Sequence, residues 1–278
     1  MKKIIAAFDG FKYSQSTRYY SIYLAKQTNT HLVGVFMDDP TYTSYKIYEL
    51  ISQQGVSEDK LKKFEAKDKA TRDAAAENFE KACQQSGLEY KVHRDRKIAI
   101  QELKHESIYA DLLIIDAKET LTHYTEKLPT RFIRDLLIDT QCPVLVVPQK
   151  FKPIQRIILL YDGEPSSVHA IKMFSYLLAP LKDLDTEVIS VFPVNTTLHM
   201  PDNKLMKEFI KRYYPKAKYT VMKGAAEDEI VKHLKQTENA LVVLGAYRRG
   251  TVSRWFRESM ADILMKEVKL PLFIAHNK

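Results

Sequence analysis

The sequence predicts an α/β protein: two doubly wound, Rossmann-like domains in tandem, each built on a five-stranded parallel sheet. Three observations predict it. The chain has 278 residues, room for two domains of about 100–200 residues each. Its apolar runs are unbroken Val/Ile/Leu segments rather than alternating ones, the pattern of strands buried on both faces by flanking helices. The order of its elements is also written twice.

The first strand of each half is an apolar run ending in Asp-Gly. Lys3-Ile4-Ile5-Ala6-Ala7-Phe8 leads into Asp9-Gly10, and Arg156-Ile157-Ile158-Leu159-Leu160-Tyr161 leads into Asp162-Gly163, 153 residues later. A helix follows over 14–27 and over 166–181, where apolar residues recur at three and four. Second strands fall at 32–36 and 188–192. The first half then departs from the second over about 40–87, where Tyr42, Tyr45 and Tyr48 precede a long charged helix with Ser57 as its N-cap and Gly87 just past its end. Fourth strands fall at 111–117 and 240–246. Fifth strands open with Cys142-Pro143 and Leu270-Pro271, now only 128 residues apart, so the first half holds 25 more residues between its ends. A segment with Pro148 and Pro153 joins the halves, giving domains at 1–150 and 151–278.

Composition narrows the function classes. Hydrophobic residues make up 45% and charged residues 28%, which excludes a disordered or low-complexity chain. No stretch reaches the roughly 20 apolar residues of a membrane span, and the start carries no cleavage-site pattern, so a cytoplasmic protein without membrane partners is expected. Cys83 and Cys142 are too few for a disulfide framework or a metal knuckle and read as reduced thiols. The net charge of +8 sits mainly in the second half, with 20 Lys+Arg against 14 Asp+Glu. That permits an anionic partner without naming one; a solvated surface explains it equally. The eight histidines are scattered without metal-ligand spacing, and the chain contains no G-x-S-x-G, H-E-x-x-H, C-x-x-C or G-x-G-x-x-G motif. No catalytic residue and no metal site is therefore expected.

Ligands of such sheets bind beyond the carboxyl ends of the strands, where strand order reverses. For these domains that crevice lies between the first and fourth strands, which selects Asp9 and Gly10 in the first half and Asp162 and Gly163 in the second. Each Asp could accept from a base amino group or a ribose, or could cap the following helix. The loop after the fourth strand of the second half contains Gly245, Ala246, Arg248, Arg249, Gly250, Arg254, Trp255, Phe256, Arg257 and Ser259. Its backbone N–H groups and four arginines suit an anion, and an exposed, solvated loop is the competing reading. Trp255-Phe256 beside arginines could stack on bases, yet no RNA-binding signature accompanies them, so nucleic acid is not expected. The three tyrosines of the insertion either lid the first crevice or pack beneath the long helix, and packing is the expectation.

These residues together resemble the universal stress protein family in its tandem form. The carriers are Asp9-Gly10, Asp162-Gly163, Lys223-Gly224-Ala225-Ala226 before a helix, Leu244-Gly245-Ala246, and the closing Cys142-Pro143-Val144-Leu145-Val146-Val147. The resemblance implies an adenine nucleotide alpha hydrolase-like fold and pairing through the last strands, here an internal pseudo-dimer at 144–147 and 272–275 that could dimerise further. It also implies an ATP site of the form G-x2-G-x9-G-(S/T). Laid on the second half from Gly245, that motif meets Arg248 and Glu258 at its later glycines and keeps Ser259. In the first half Asp116-Ala117-Lys118-Glu119 replaces its opening, and Thr130-Arg131 stands near its end. A carboxylate facing phosphate is repulsive, and side chains fill space that glycine leaves for the ligand. The expectation is therefore a non-catalytic stress-response or regulatory module with degenerate nucleotide clefts and a protein partner that the sequence does not name. The alternative is an ATP-binding switch or slow nucleotide hydrolase using the second cleft, with magnesium. There Asp162 would meet the base, Gly245 and Ser259 the phosphates, and Arg248 or Arg249 would supply charge in place of glycine amides.

Overall fold

The computed structural model describes residues 1–39, 42–43, 47, 58–94, 97–194, 201–245 and 259–276. The first half contains β1 (Lys3–Phe8), α1 (Gln15–Thr28), β2 (His31–Phe36), α2 (Glu58–Gln85), β3 (Tyr90–His93), α3 (Ala99–Ile108), β4 (Leu112–Asp116), α4 (Arg131–Asp139) and β5 (Val144–Val147). The second contains β6 (Arg156–Leu160), α5 (Pro165–Leu177), a short 3-10 turn (Ala179–Leu181), β7 (Asp185–Phe192), α6 (Asn203–Tyr213), β8 (Lys218–Lys223), α7 (Ala226–Lys235), β9 (Ala240–Gly245), α8 (Met260–Glu267) and β10 (Leu272–Ala275).

The ten strands of the described residues form one sheet in the order β3-β2-β1-β4-β5-β10-β9-β6-β7-β8. Each half is parallel throughout and reverses its strand order at the first strand, as the repeat predicts. The halves meet where β5 and β10 pair antiparallel, Leu272 opposite Val146, Phe273 opposite Leu145 and Ile274 opposite Val144. Alternate side chains serve opposite faces. Ile4, Ala6 and Phe8 join one core layer, Ile5 and Ala7 the other, and each layer runs through both halves. Among the described residues, no helix is long and apolar enough to cross a membrane.

Local chemistry sets the boundaries. Ser14 caps α1, its hydroxyl accepting from Thr17 N–H, and Asn29 in the left-handed region closes the helix. The helix expected over 166–181 begins one residue earlier at Pro165, whose fixed φ suits a first turn, and ends at Leu177 before the Ala179–Leu181 turn that contains Pro180. The long charged helix is α2, with Gly87 at φ +65° just beyond it; Ser57, its expected N-cap, lies outside the described residues. Much of α2 is exposed, and it docks by Ala75, Ala76, Phe79 and Cys83, spaced at helical intervals. Phe79 lies over Gly34 so closely that a Cβ there would come within 2.7 Å of the ring. The same ring packs against Phe8 and Phe36 at centroid separations of 5.3 and 6.0 Å.

Candidate functional site

The topology places Asp9 and Asp162 just past the ends of β1 and β6, each beside the fourth strand of its half. Neither carboxylate caps a helix, which corrects that alternative. Asp9 Oδ1 accepts from Phe11 N–H at 2.7 Å, and Asp162 Oδ1 accepts from Glu164 N–H at 2.9 Å. Both bonds tie the aspartate to its own turn two residues on, a local closure that competes with capping.

Beyond that shared turn the two crevices differ. Asp9 is 1% exposed, and Tyr42 from the insertion donates its hydroxyl to Asp9 Oδ2 at 3.2 Å. The expectation that the tyrosines only pack beneath α2 is thus corrected for Tyr42, which lies across the crevice; Tyr45 and Tyr48 fall outside the described residues. Tyr42 is braced on several sides. Its ring meets Phe11 edge-on at 5.4 Å and His123 at 5.1 Å, and its carbonyl accepts from Arg72 Nη2 at 2.5 Å. The Arg72 guanidinium also covers the Phe11 ring at 4.4 Å and meets Asp38 at 3.4 Å. Gly10 lets this arm of α2 pass, since a Cβ there would come within 2.8 Å of Arg72 Cγ. On the other wall, Glu119 follows β4 and is 6% exposed, its Oε1 accepting from Thr120 and Leu121 N–H at 3.0 and 3.2 Å. Burial, reinforced by the neighbouring Asp9 charge, pushes the Glu119 carboxyl up to about 8. Burial likewise raises Asp9, against the opposing pull of the Phe11 N–H and the Lys12 charge. Lys12 donates to Thr122 O at 2.5 Å and sits 5.9 Å from the Tyr42 ring centroid. The Asp9 end of the first crevice is thus covered by its own chain: an aromatic lid over a pair of buried carboxyls.

Outside that lid, a cavity of about 640 Å³ is lined by Ser14, Asp116, Lys118, Glu126 and Lys150, among others. Ser14 Oγ donates to Asp116 Oδ2 at 2.6 Å, so the residue standing where the second half has Gly245 ties β4 to the cap of α1.

In the second half Asp162 is exposed and has the turn bond alone among the described residues. Gly163 takes φ +87° and sits against Pro201, where a Cβ would approach within 2.7 Å. Gly245 ends β9 pressed on the first turn of α5, and a Cβ would come within 2.5 Å of the Ser166 carbonyl carbon and oxygen. Its smallness is needed by protein packing, whatever else it serves. Ser259 is the N-cap of α8, accepting from Asp262 N–H at 3.1 Å in a reciprocal capping box. Ala246, Arg248, Arg249, Gly250, Arg254, Trp255, Phe256, Arg257 and Glu258 lie outside the described residues. The structure therefore brings Asp9-Gly10 together with Tyr42, Glu119 and Arg72; sequence reasoning weighed Tyr42 as a lid and assigned none of the three to the site. Glu119 was visible as a break in the glycine motif, but nothing in its spacing signals burial.

One sheet of ten strands, two switch points and an antiparallel seam define a tandem of doubly wound α/β domains. Three solved structures match it over 99% of the chain. A universal stress protein from Archaeoglobus fulgidus DSM 4304 has 13% identity and TM-score 0.71, with 98% of that chain covered. A functionally unknown protein from Pseudomonas aeruginosa PAO1 has 12% identity and TM-score 0.63, with 92% covered. A protein assigned to the universal stress proteins, from Pseudomonas aeruginosa UCBPP-PA14, has 13% identity and TM-score 0.58, with 93% covered. The chain has the tandem universal stress protein fold. No protein-family model matches the sequence, and no curated protein matches it.

Proposed function

We propose that this chain is a tandem universal stress protein working as a non-catalytic regulatory module, in which the first half no longer takes a nucleotide. The observation that carries this reading is Tyr42 seated on Asp9. A base amino group approaching Asp9 would have to displace the Tyr42 hydroxyl, break the Arg72 bond to the Tyr42 carbonyl and expose two buried carboxyls. A polyphosphate entering beside Glu119 would find the Thr120 and Leu121 N–H groups already committed to the Glu119 carboxyl, so those amides are not free to hold it. The first half then acts as the rigid, insertion-bearing partner of the second across the β5–β10 seam.

A second reading rests on Asp162. It is exposed at the equivalent switch point, with one oxygen held by the turn, and so is available to a base or ribose. On this reading the second half is an adenine-nucleotide switch or slow hydrolase. The test is a phosphate-release assay with ATP and magnesium. Intact ATP after long incubation with stoichiometric protein supports the non-catalytic module; release that scales with protein and disappears in Asp162→Ala supports the hydrolase.

A further inference from the structure

The seam between the halves encloses a cavity of about 470 Å³ that neither crevice reading uses. Antiparallel pairing sets the C-terminal end of β5 beside the N-terminal end of β10, and the cavity lies at that edge. Its floor is apolar: Val146, Val147 and Leu272 from the two strands, Met265 and Val268 from α8 and its end, Leu128 from the loop before α4. Its rim carries Lys118, Lys150, Lys152, Lys266 and Lys269, all exposed, and no carboxylate is among the described lining residues. Glu238, which Lys152 reaches at 3.5 Å, stands outside it.

Lysines often lay their stems on apolar surface while the ammonium stays in water, so each one singly needs no explanation. Lys118, Lys150 and Lys269 around one concavity do, because like charges crowded at an apolar mouth repel one another. The fold does not impose them either. The internal repeat relates Lys266 and Lys269 to Ile138 and Gln141, so the opposite edge of the seam lacks this pair of charges. The volume falls within the range of small-molecule sites, and an apolar lining with a few charges that fix orientation is their usual chemistry. Gln149 is the one uncharged polar side chain among the described lining residues, so a nucleobase would find few edge donors and acceptors there.

The geometry points to a binding site for a small organic anion with an apolar body, a medium-chain or aromatic carboxylate or sulfonate. Its hydrocarbon lies on the Val147–Leu272–Val268 floor, and its head group is held by Lys118, Lys150 and Lys269. Both halves line the site, so the intact tandem chain is needed to form it.

The test is a fluorescence titration of the full chain with 8-anilinonaphthalene-1-sulfonate, followed by displacement with decanoate. The expected result is one saturable site, displaced by decanoate and weakened at least about tenfold in a Lys118→Glu, Lys150→Glu, Lys269→Glu variant. A control variant reversing exposed Lys60, Lys63 and Lys91 carries the same net charge and is expected to bind as the wild type does, as is Asp162→Ala. Absence of saturable binding, failure of decanoate to displace the probe, or equal weakening in the two charge-reversal variants would overturn the proposal.

Discussion

Replacing Glu119 by Gln tests the closed first crevice through stability alone. In the folded chain burial and the Asp9 charge hold the Glu119 carboxyl up to about 8, whereas in the unfolded chain it titrates near the ordinary value of about 4.3. A carboxyl raised on folding favours the folded state fully while both states are protonated. That contribution declines as pH rises from about 4.3 to about 8, and is gone above, where the folded chain must bury the charge. Each pH step of one between those two values is worth about 1.4 kcal/mol, so the wild type should lose on the order of a few kcal/mol across this window from Glu119. A glutamine in its place keeps an oxygen to accept from the Thr120 and Leu121 N–H groups and has no proton to release. Urea unfolding from pH 5 to pH 9 should show Glu119→Gln gaining on the wild type as pH rises, with the difference flattening above pH 8. Asp9, also raised by burial, interacts with Glu119, so the difference between the two chains reports the titration of the pair. Parallel stability profiles for the two chains would refute the reasoning, because they would mean that Glu119 ionises in the folded protein as freely as in the unfolded one.

Further predictions rest on other contacts. Gly245→Ala should destabilise the chain by roughly 1–3 kcal/mol in denaturant unfolding, since the added methyl meets the Ser166 backbone and not a side chain that can turn away. Ser259→Ala should cost about 1 kcal/mol through loss of the α8 cap, with Ser259→Asp recovering most of it. The Cys83 thiol is fully buried and its ionisation is pushed up to about 12 by burial, so a thiol reagent at pH 8 should label it at the rate of unfolding. Prompt labelling of Cys83 in native protein would contradict the packing of α2 on β2.

The repeat made the architecture legible because unbroken apolar runs leave a buried parallel strand few alternatives, and β1, β2, β4 and their counterparts fall within a few residues of expectation. The antiparallel seam at 144–147 and 272–275 came from the resemblance and not from periodicity, since Val144-Leu145-Val146-Val147 reads the same whichever neighbour it pairs with. The site was legible only in part. Asp9 and Asp162 are written identically as Asp-Gly after an apolar run, yet one is sealed and the other open. What separates them is the insertion: Tyr42 reaches Asp9 and Arg72 braces Tyr42, from segments whose sequence shows charge and helical spacing but not where α2 docks. Docking depends on Phe79 finding Gly34, a contact between residues 45 positions apart. Glu119 was hidden for a related reason: a Glu in a polar loop reads as solvated until the chain closes Leu121 and Thr130 around it, Thr130 Oγ1 donating to the Glu119 carbonyl.

The most direct measurement of the central claim, that the first crevice is closed by its own chain, is calorimetric titration of Asp162→Ala with ATP and magnesium. In that variant the second crevice has lost its aspartate, and a remaining site that also needs Asp9 belongs to the first. The account predicts no binding heat at millimolar ATP, and the same silence when Asp9→Ala is added. Saturable binding in Asp162→Ala that disappears in the Asp9→Ala, Asp162→Ala double variant would contradict it, showing that Tyr42 yields to a nucleotide.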